Sequence, residues 1–419
     1  MPIINFNKSL IFIKMENTSK DIHEDFETGV WKVRKFVLPN AADYLYDIEI
    51  IRCAEIDLIE VWEANKFFYE ASQMIANSIY LFQEGFFDAA FYSLRQSIEI
   101  SIGTLYLTAN PEKMNEWEEL GPGFESGRMA NFLREHESIF KEIRTKMPAF
   151  FDNIHAIQKK TNKYVHKQGF SSFYTTQQWS WSDHREEKIY NKIASDYEET
   201  LRIAIGAVAV YRLAIDPLPI ILMDEELLMR SMDFVTQPYT EEFIAKYIGL
   251  ENIELYKQTE FYQDCKTYIM SHEKQNDAVF KVIHWQIIDR NKFDDILAQI
   301  HLLSFTDRIA VAIIMTSIKI PQVYIDGCFH YRSEVKPLYS SIVCGDLYYD
   351  AFFTNDNNFN MPYEGGAYIS RIKITEHFSY IESNTPLDES EITTLNYIAQ
   401  TYAKEYIKQK EELMKLFEE

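Results

Sequence analysis

Residues 64–105 read ANKFFYEASQMIANSIYLFQEGFFDAAFYSLRQSIEISIGTL, and their spacing decides the architecture. Ala64, Phe68, Ala71, Ile75, Ile79 and Phe82 recur at intervals of three and four, which places them on one face of a helix. Glu84-Gly85 breaks the pattern, and Phe87, Phe91, Leu94, Ile98, Ile102 and Leu105 mark a second apolar stripe. Two long amphipathic helices joined by a glycine turn make an αα-hairpin.

The helical texture continues downstream. Pro148 suits the first turn of a helix whose stripe is Phe150, Ile154, Ile157, Thr161 and Tyr164, with Gly169 expected as its stop. An aromatic loop follows, with Phe170, Phe173, Tyr174, Trp179 and Trp181. Asp183 with Glu186 three residues on has the form of a helix start. That helix carries Ile189, Ile193, Tyr197, Leu201, Ala204, Val208 and Tyr211 on its apolar face. Asp216-Pro217-Leu218-Pro219 ends it, because closely spaced prolines favour extended chain, and the domain boundary is expected there.

Residues 1–60 are irregular and are expected to form an arm or short strands. Residues 217–419 begin with helices, one of them running from Thr240 to Tyr247. After Pro321 the chain turns β-rich over Val323–Tyr331, Ser341–Phe353 and Ala367–Ile381, with Asn355–Gly366 expected as a loop. Thr385-Pro386-Leu387-Asp388 then starts a long closing helix. The expected fold is mainly α. It has a helical bundle over 61–216 and an α+β domain over 217–419, with a small antiparallel sheet and a long C-terminal helix.

Acidic residues outnumber basic ones, 64 to 42, for a net charge of -22, so the general surface does not suit nucleic acid or an anionic membrane. The apolar stretch Ile203–Tyr211 is too short to span a bilayer, which needs about 20 residues. Cys53, Cys265, Cys328 and Cys344 are scattered and form no CxxC pair, so neither a disulfide framework nor a zinc site is expected. The expected location is cytoplasmic. There is no GxxxxGK[ST], GxGxxG, GxSxG or HExxH, so no metal and no cofactor is expected.

The chemistry concentrates in the bundle. Arg95 and Glu99 lie one turn apart within Leu94-Arg95-Gln96-Ser97-Ile98-Glu99. His155, Lys159, Asn162 and His166 share a face of the later helix, which ends Asn162-Lys163-Tyr164-Val165-His166. Residues 128–167 hold nine Lys or Arg against four Asp or Glu, a basic strip suited to phosphate. A histidine at a helix C-terminus also serves the macrodipole alone, and an Arg–Glu pair can simply orient a bundle.

The hairpin with its LRxxIE helix and the later NxxxH ending resembles the HEPN superfamily, over roughly residues 61–216. The resemblance implies an all-helical domain of the kind found in prokaryotic toxins, defence proteins and nucleotide-binding modules. It also implies pairing into a homodimer through the helical domain, for which the aromatics of 170–181 offer anchors. Ribonuclease members carry Arg-x4–6-His, but here Thr161 and Lys160 stand five and six residues before His166. Cleavage needs a base and a cation on the charged phosphorane. The expectation is therefore a non-catalytic binding or regulatory protein of a bacterial defence or toxin-related system. Its site would comprise His166, Asn162, Arg95 and Glu99, with Lys159, Lys160 and Lys163 meeting a nucleotide or RNA. The alternative is a metal-independent ribonuclease with a divergent site at His166.

Overall fold

A computed structural model of the chain describes residues 35–119, 123–169, 183–233, 235–325, 357–362, 366–374 and 377–417. The chain divides into two compact units. The first runs to Ile220 and takes back Thr236–Cys265; the second comprises Ile221–Val235 and Lys266–Glu419.

The first unit is built of helices in its described residues, with one antiparallel bridge between Ala54 and Thr236. Helix α1 (Ala41–Cys53) buries Tyr44, Ile48 and Ile51 on one stripe. It is a helix where an arm or strands were expected, because the spacing of four and three lies within a run too short to stand out. The hairpin follows as α2 (Ala64–Gln83) and α3 (Phe87–Ala109). Its turn closes by two hydrogen bonds, from the Gly85 amide to the Phe82 carbonyl (2.9 Å) and from the Phe86 amide to the Leu81 carbonyl (2.8 Å). This cap needs a left-handed residue between them, and Gly85 supplies it at φ 89°.

Short α4 (Met114–Glu118), α5 (Ser126–His136) and α6 (Ser138–Lys146) lead into α7 (Pro148–Val165), which opens on the expected proline. Helix α8 (Asp183–Leu213) packs against α2, α3 and α7, and α5 packs on α3. The core between them is aromatic. Phe82 stacks on Tyr197 at 3.8 Å between centroids, and Phe91 stacks on Tyr164 at 4.6 Å.

The proline-rich break after Asp216 is tied down rather than extended. Arg212, 1% exposed, donates to Asp216 Oδ2 (2.9 Å) and to the carbonyls of Ala54 (2.7 Å) and Glu55 (3.0 Å). Two one-turn helices, α9 (Leu218–Ile221) and α10 (Glu225–Leu228), follow. The chain then returns to the first unit with α11 (Glu241–Tyr247) and α12 (Leu250–Tyr256). Tyr247 reaches Asp47 of α1, and its backbone crosses α8 at Gly206, where a Cβ would meet the Tyr247 carbonyl oxygen at 2.2 Å. The first unit therefore extends past the expected boundary at Asp216, because packing across α8 closes it with residues the break alone would exclude.

Helix α13 (Glu260–Met270) leads into the second unit, which adds α14 (Asp277–Trp285), α15 (Phe293–Ala298) and α16 (Phe305–Met315). Five strands form one antiparallel sheet in the order β1-β2-β5-β4-β3: β1 (Ile287–Asp289), β2 (Gln322–Tyr324), β3 (Asn358–Pro362), β4 (Tyr368–Ile374) and β5 (His377–Ser383). The registers Val323↔Ile381 and Ser370↔Ile381 align one apolar face, including Ile372 and Ile374, against α16 and the long α17 (Glu389–Phe417).

Two expectations are corrected here. The stretch 367–381 is not one strand but the hairpin β4–β5, and the expected loop 355–366 contains β3, whose pairing passes through a bulge at Asn360, φ 58°. The expected strand Ser341–Phe353 and the aromatic loop 170–181 lie outside the described residues.

Candidate functional site

Helix α3 presents Arg95 and Glu99 toward α5 and α7. Arg95 Nε and Nη2 approach Glu99 Oε1 at 2.8 and 2.7 Å, and the Ser126 hydroxyl donates to the same oxygen at 3.0 Å. The third guanidinium nitrogen, Arg95 Nη1, lies 3.0 Å from His166 Nε2. Arginine has only donors, so Nε2 accepts and the proton of the neutral ring sits on Nδ1.

His166 is held there by the end of α7. It is the C-cap, its amide donating to the Asn162 carbonyl at 2.9 Å, and the Gln168 amide donates to the Lys163 carbonyl at 3.0 Å. The left-handed position between them is Lys167, φ 51°, and Gly169, expected as the stop, follows it at φ 85°. Its ammonium reaches Asp88 at the start of α3, which ties the two helix ends together. Burial raises the pKa of Asp88, against the lowering by Lys167.

A cavity of about 330 Å³ opens between α3, α5, α6, α7 and α8. Arg95, Glu99, His155, Lys159 and Asn162 line it, so five residues picked from the sequence share one cavity, while His166 is not on its wall. Further polar groups on the wall were not picked for the site, among them Arg134, Arg144 and Tyr211. The two arginines belong to the basic strip of 128–167, which was the one sequence signal for them. Tyr211 sits on the apolar stripe of α8 and is indistinguishable there from a core residue.

The expected lysine trio separates. Lys159 faces the cavity, whereas Lys160 pairs with Asp196 (2.7 Å) and Glu199 (2.9 Å) of α8. Burial opposes the charge on Lys160, but those two hydrogen bonds outweigh it and the pKa is raised. Lys163 is exposed and is not part of the wall. Thr161, five residues before His166, is 1% exposed and bonds back to the Ile157 carbonyl at 3.0 Å. That position faces the core, and Arg95 from a neighbouring helix is the cation beside His166 instead.

Among the described residues no group of three or more His, Cys, Asp or Glu is placed to hold a metal ion, and no helix is long and apolar enough to cross a membrane. Comparisons with family models, curated proteins and solved structures find no match to this chain.

Proposed function

We propose that the helical unit is a HEPN-like binding module that takes a nucleotide in the cavity between α3, α5 and α7 without cleaving it. One observation carries this reading. Lys159, Arg134 and Arg144 line a single cavity and form no ion pair among the described residues, in a chain of net charge -22. Cations kept unpaired in a concave site favour an anionic ligand. The volume lies at the lower end of small-molecule pockets, which run to roughly 300–1,000 Å³. Glu99, Asn162 and Ser126 supply acceptors and donors for the sugar or base.

The state of His166 supports binding over turnover. A general base needs a free lone pair, and Nε2 already accepts from Arg95. Titration of the full chain with the four 5′-nucleoside monophosphates at low salt tests the reading. Micromolar to sub-millimolar binding that weakens with salt and with Lys159→Glu is expected. No binding by any of the four refutes it.

A second reading is favoured by the same contact. Arg95 restores beside His166 the pairing of cation and imidazole that ribonuclease members build on one helix, so a metal-independent ribonuclease is the competing function. RNA cleavage that disappears in both His166→Ala and Arg95→Ala would decide for it.

A further inference from the structure

The cavity has two ends, and they differ in charge. Phe151 and Asn162 of α7 both line it, and they stand eleven residues apart, about 16 Å of helix. Ser126 and Arg134 of α5 line it eight residues apart, about 12 Å. Ser126 bonds Glu99, and Arg95 bonds the residue that caps α7, so Asn162, Ser126, Glu99 and Arg95 share one end. The other end is marked by Phe140, which packs edge-on to Phe151 at 5.4 Å and stacks on Tyr211 at 5.7 Å, with the Arg144 guanidinium 5.7 Å from the Phe151 ring centre.

At the first end the charge of Arg95 is met by Glu99. At the second, Arg134 and Arg144 face the cavity with no carboxylate partner among the described residues. Tyr211 is 4% exposed, lines the same space, and its hydroxyl makes no hydrogen bond to any described residue. Buried hydroxyls nearly always find a partner, and one left open toward a cavity is free to serve a ligand. Arg134, Arg144 and Tyr211 line the same cavity, and burial raises the pKa of Tyr211 while Arg144 and Arg134 pull it the other way. The phenol stays protonated and donates.

We infer that Arg134, Arg144 and Tyr211 form an anion subsite that takes the phosphate of a small phosphorylated ligand, while the Arg95–Glu99 end receives the ligand's neutral part. This rests on the nucleotide reading for the neutral part, and on the three residues alone for the phosphate. Two planar guanidinium forks and one phenol suit a tetrahedral oxyanion better than a flat polar ring, because each arginine can give two parallel N–H bonds.

The test uses inorganic phosphate alone and the full chain, by calorimetry at low salt. Wild type is expected to bind. Tyr211→Phe, which keeps the ring and its packing, should weaken binding about threefold to tenfold. Arg134→Gln and Arg144→Gln should each weaken it about tenfold or more. Asn153→Ala, on the exposed side of α7 and off the cavity wall, should leave it unchanged, and the circular dichroism of every variant should match wild type. Absence of phosphate binding, or an affinity unmoved in all three subsite variants, overturns the inference. If phosphate binds with these sensitivities and no mononucleotide binds, the subsite stands and the nucleotide reading falls. If mononucleotides bind and the three variants change nothing, the subsite alone falls.

Discussion

Arg95 Nη1 and His166 Nε2 lie 3.0 Å apart although 71 positions separate them. The resemblance had put both in one site, and the direct contact between them is set by how their helices pack. The contact joins α3 to the C-cap of α7, and the Lys167–Asp88 ion pair bridges the same two helices beside it.

This contact makes the first prediction. RNA incubated with wild type should show no turnover above that with His166→Ala, because the lone pair needed for base catalysis is engaged and its cation is already neutralised by Glu99. General-base help is worth about 10²–10⁴-fold, so an active enzyme would be plainly visible against the variant. Thr161→Arg, which restores the family spacing, should unfold the bundle rather than awaken it, since that side chain points into the core.

The lysines on α7 should behave differently from one another. Lys159→Glu removes a cavity cation and should weaken nucleotide binding at low salt. Lys160→Glu places a carboxylate against Asp196 and Glu199; it should lower stability by about 1 kcal/mol and spare binding. Paired urea titrations and binding isotherms check both halves, and equal binding losses in the two variants would contradict the geometry.

Gly206→Ala should destabilise the first unit by about 1–3 kcal/mol, the usual cost of overpacking, because the added Cβ meets the Tyr247 carbonyl at 2.2 Å. The backbone must move, since neither partner is a flexible chain end. A midpoint in urea equal to that of wild type would show that α11 is not seated where described.

Removing the carboxylate in Asp216→Ala leaves Arg212 buried without its counter-ion, and a cost of about 3–5 kcal/mol is expected. The carbonyls of Ala54 and Glu55 still accept from the guanidinium, which favours the lower figure. Denaturation of Arg212→Met with Asp216→Asn together should be milder than the single change, because burying two neutral groups costs less than burying one unpaired charge.

Alkaline unfolding follows from the aromatic core. Burial, with a hydrogen bond to Glu198, raises the phenol of Tyr44 to about 12, and burial raises Tyr197, Tyr211 and Tyr239 still higher. The folded state favours the protonated phenols. The stability they confer is whole below the ordinary value of about 10 and is lost as pH climbs from there through about 12. Tyrosinate absorbance from these residues should rise together with loss of the helical circular dichroism signal. Complete titration of all tyrosines with helix content intact would contradict their burial.

Most of the architecture was legible in the chain. The stripes at 64–82 and 87–105 gave both helices, the second running four residues past its last stripe position to Ala109, since a period near 3.6 is a local property. The closing helix was marked by Asp388, whose carboxylate accepts the amides of Ser390 (3.1 Å) and Glu391 (3.0 Å). Errors came where the local signal was short or shared. In residues 41–53 the stripe Tyr44, Ile48 and Ile51 is blurred by Leu45, Tyr46 and Ile50, and the boundary between β4 and β5 sat inside one β-rich stretch.

The sequence by itself determined which segments are helical, where the texture changes to strands, and that Arg95–Glu99 and Asn162–His166 are one-turn neighbours. Those follow from backbone periodicity and from side chains three or four positions apart. Only the tertiary structure decided that Arg95 meets His166, that Lys159 and not Lys160 faces the cavity, and that Tyr211 stands with Arg134 and Arg144 at its far end. Each of those is a matter of how helices are rotated against one another. Rotation is set by the packing of Phe82, Phe91, Tyr164 and Tyr197 across the bundle, and side-chain packing between distant segments leaves no trace in the spacing of any one of them.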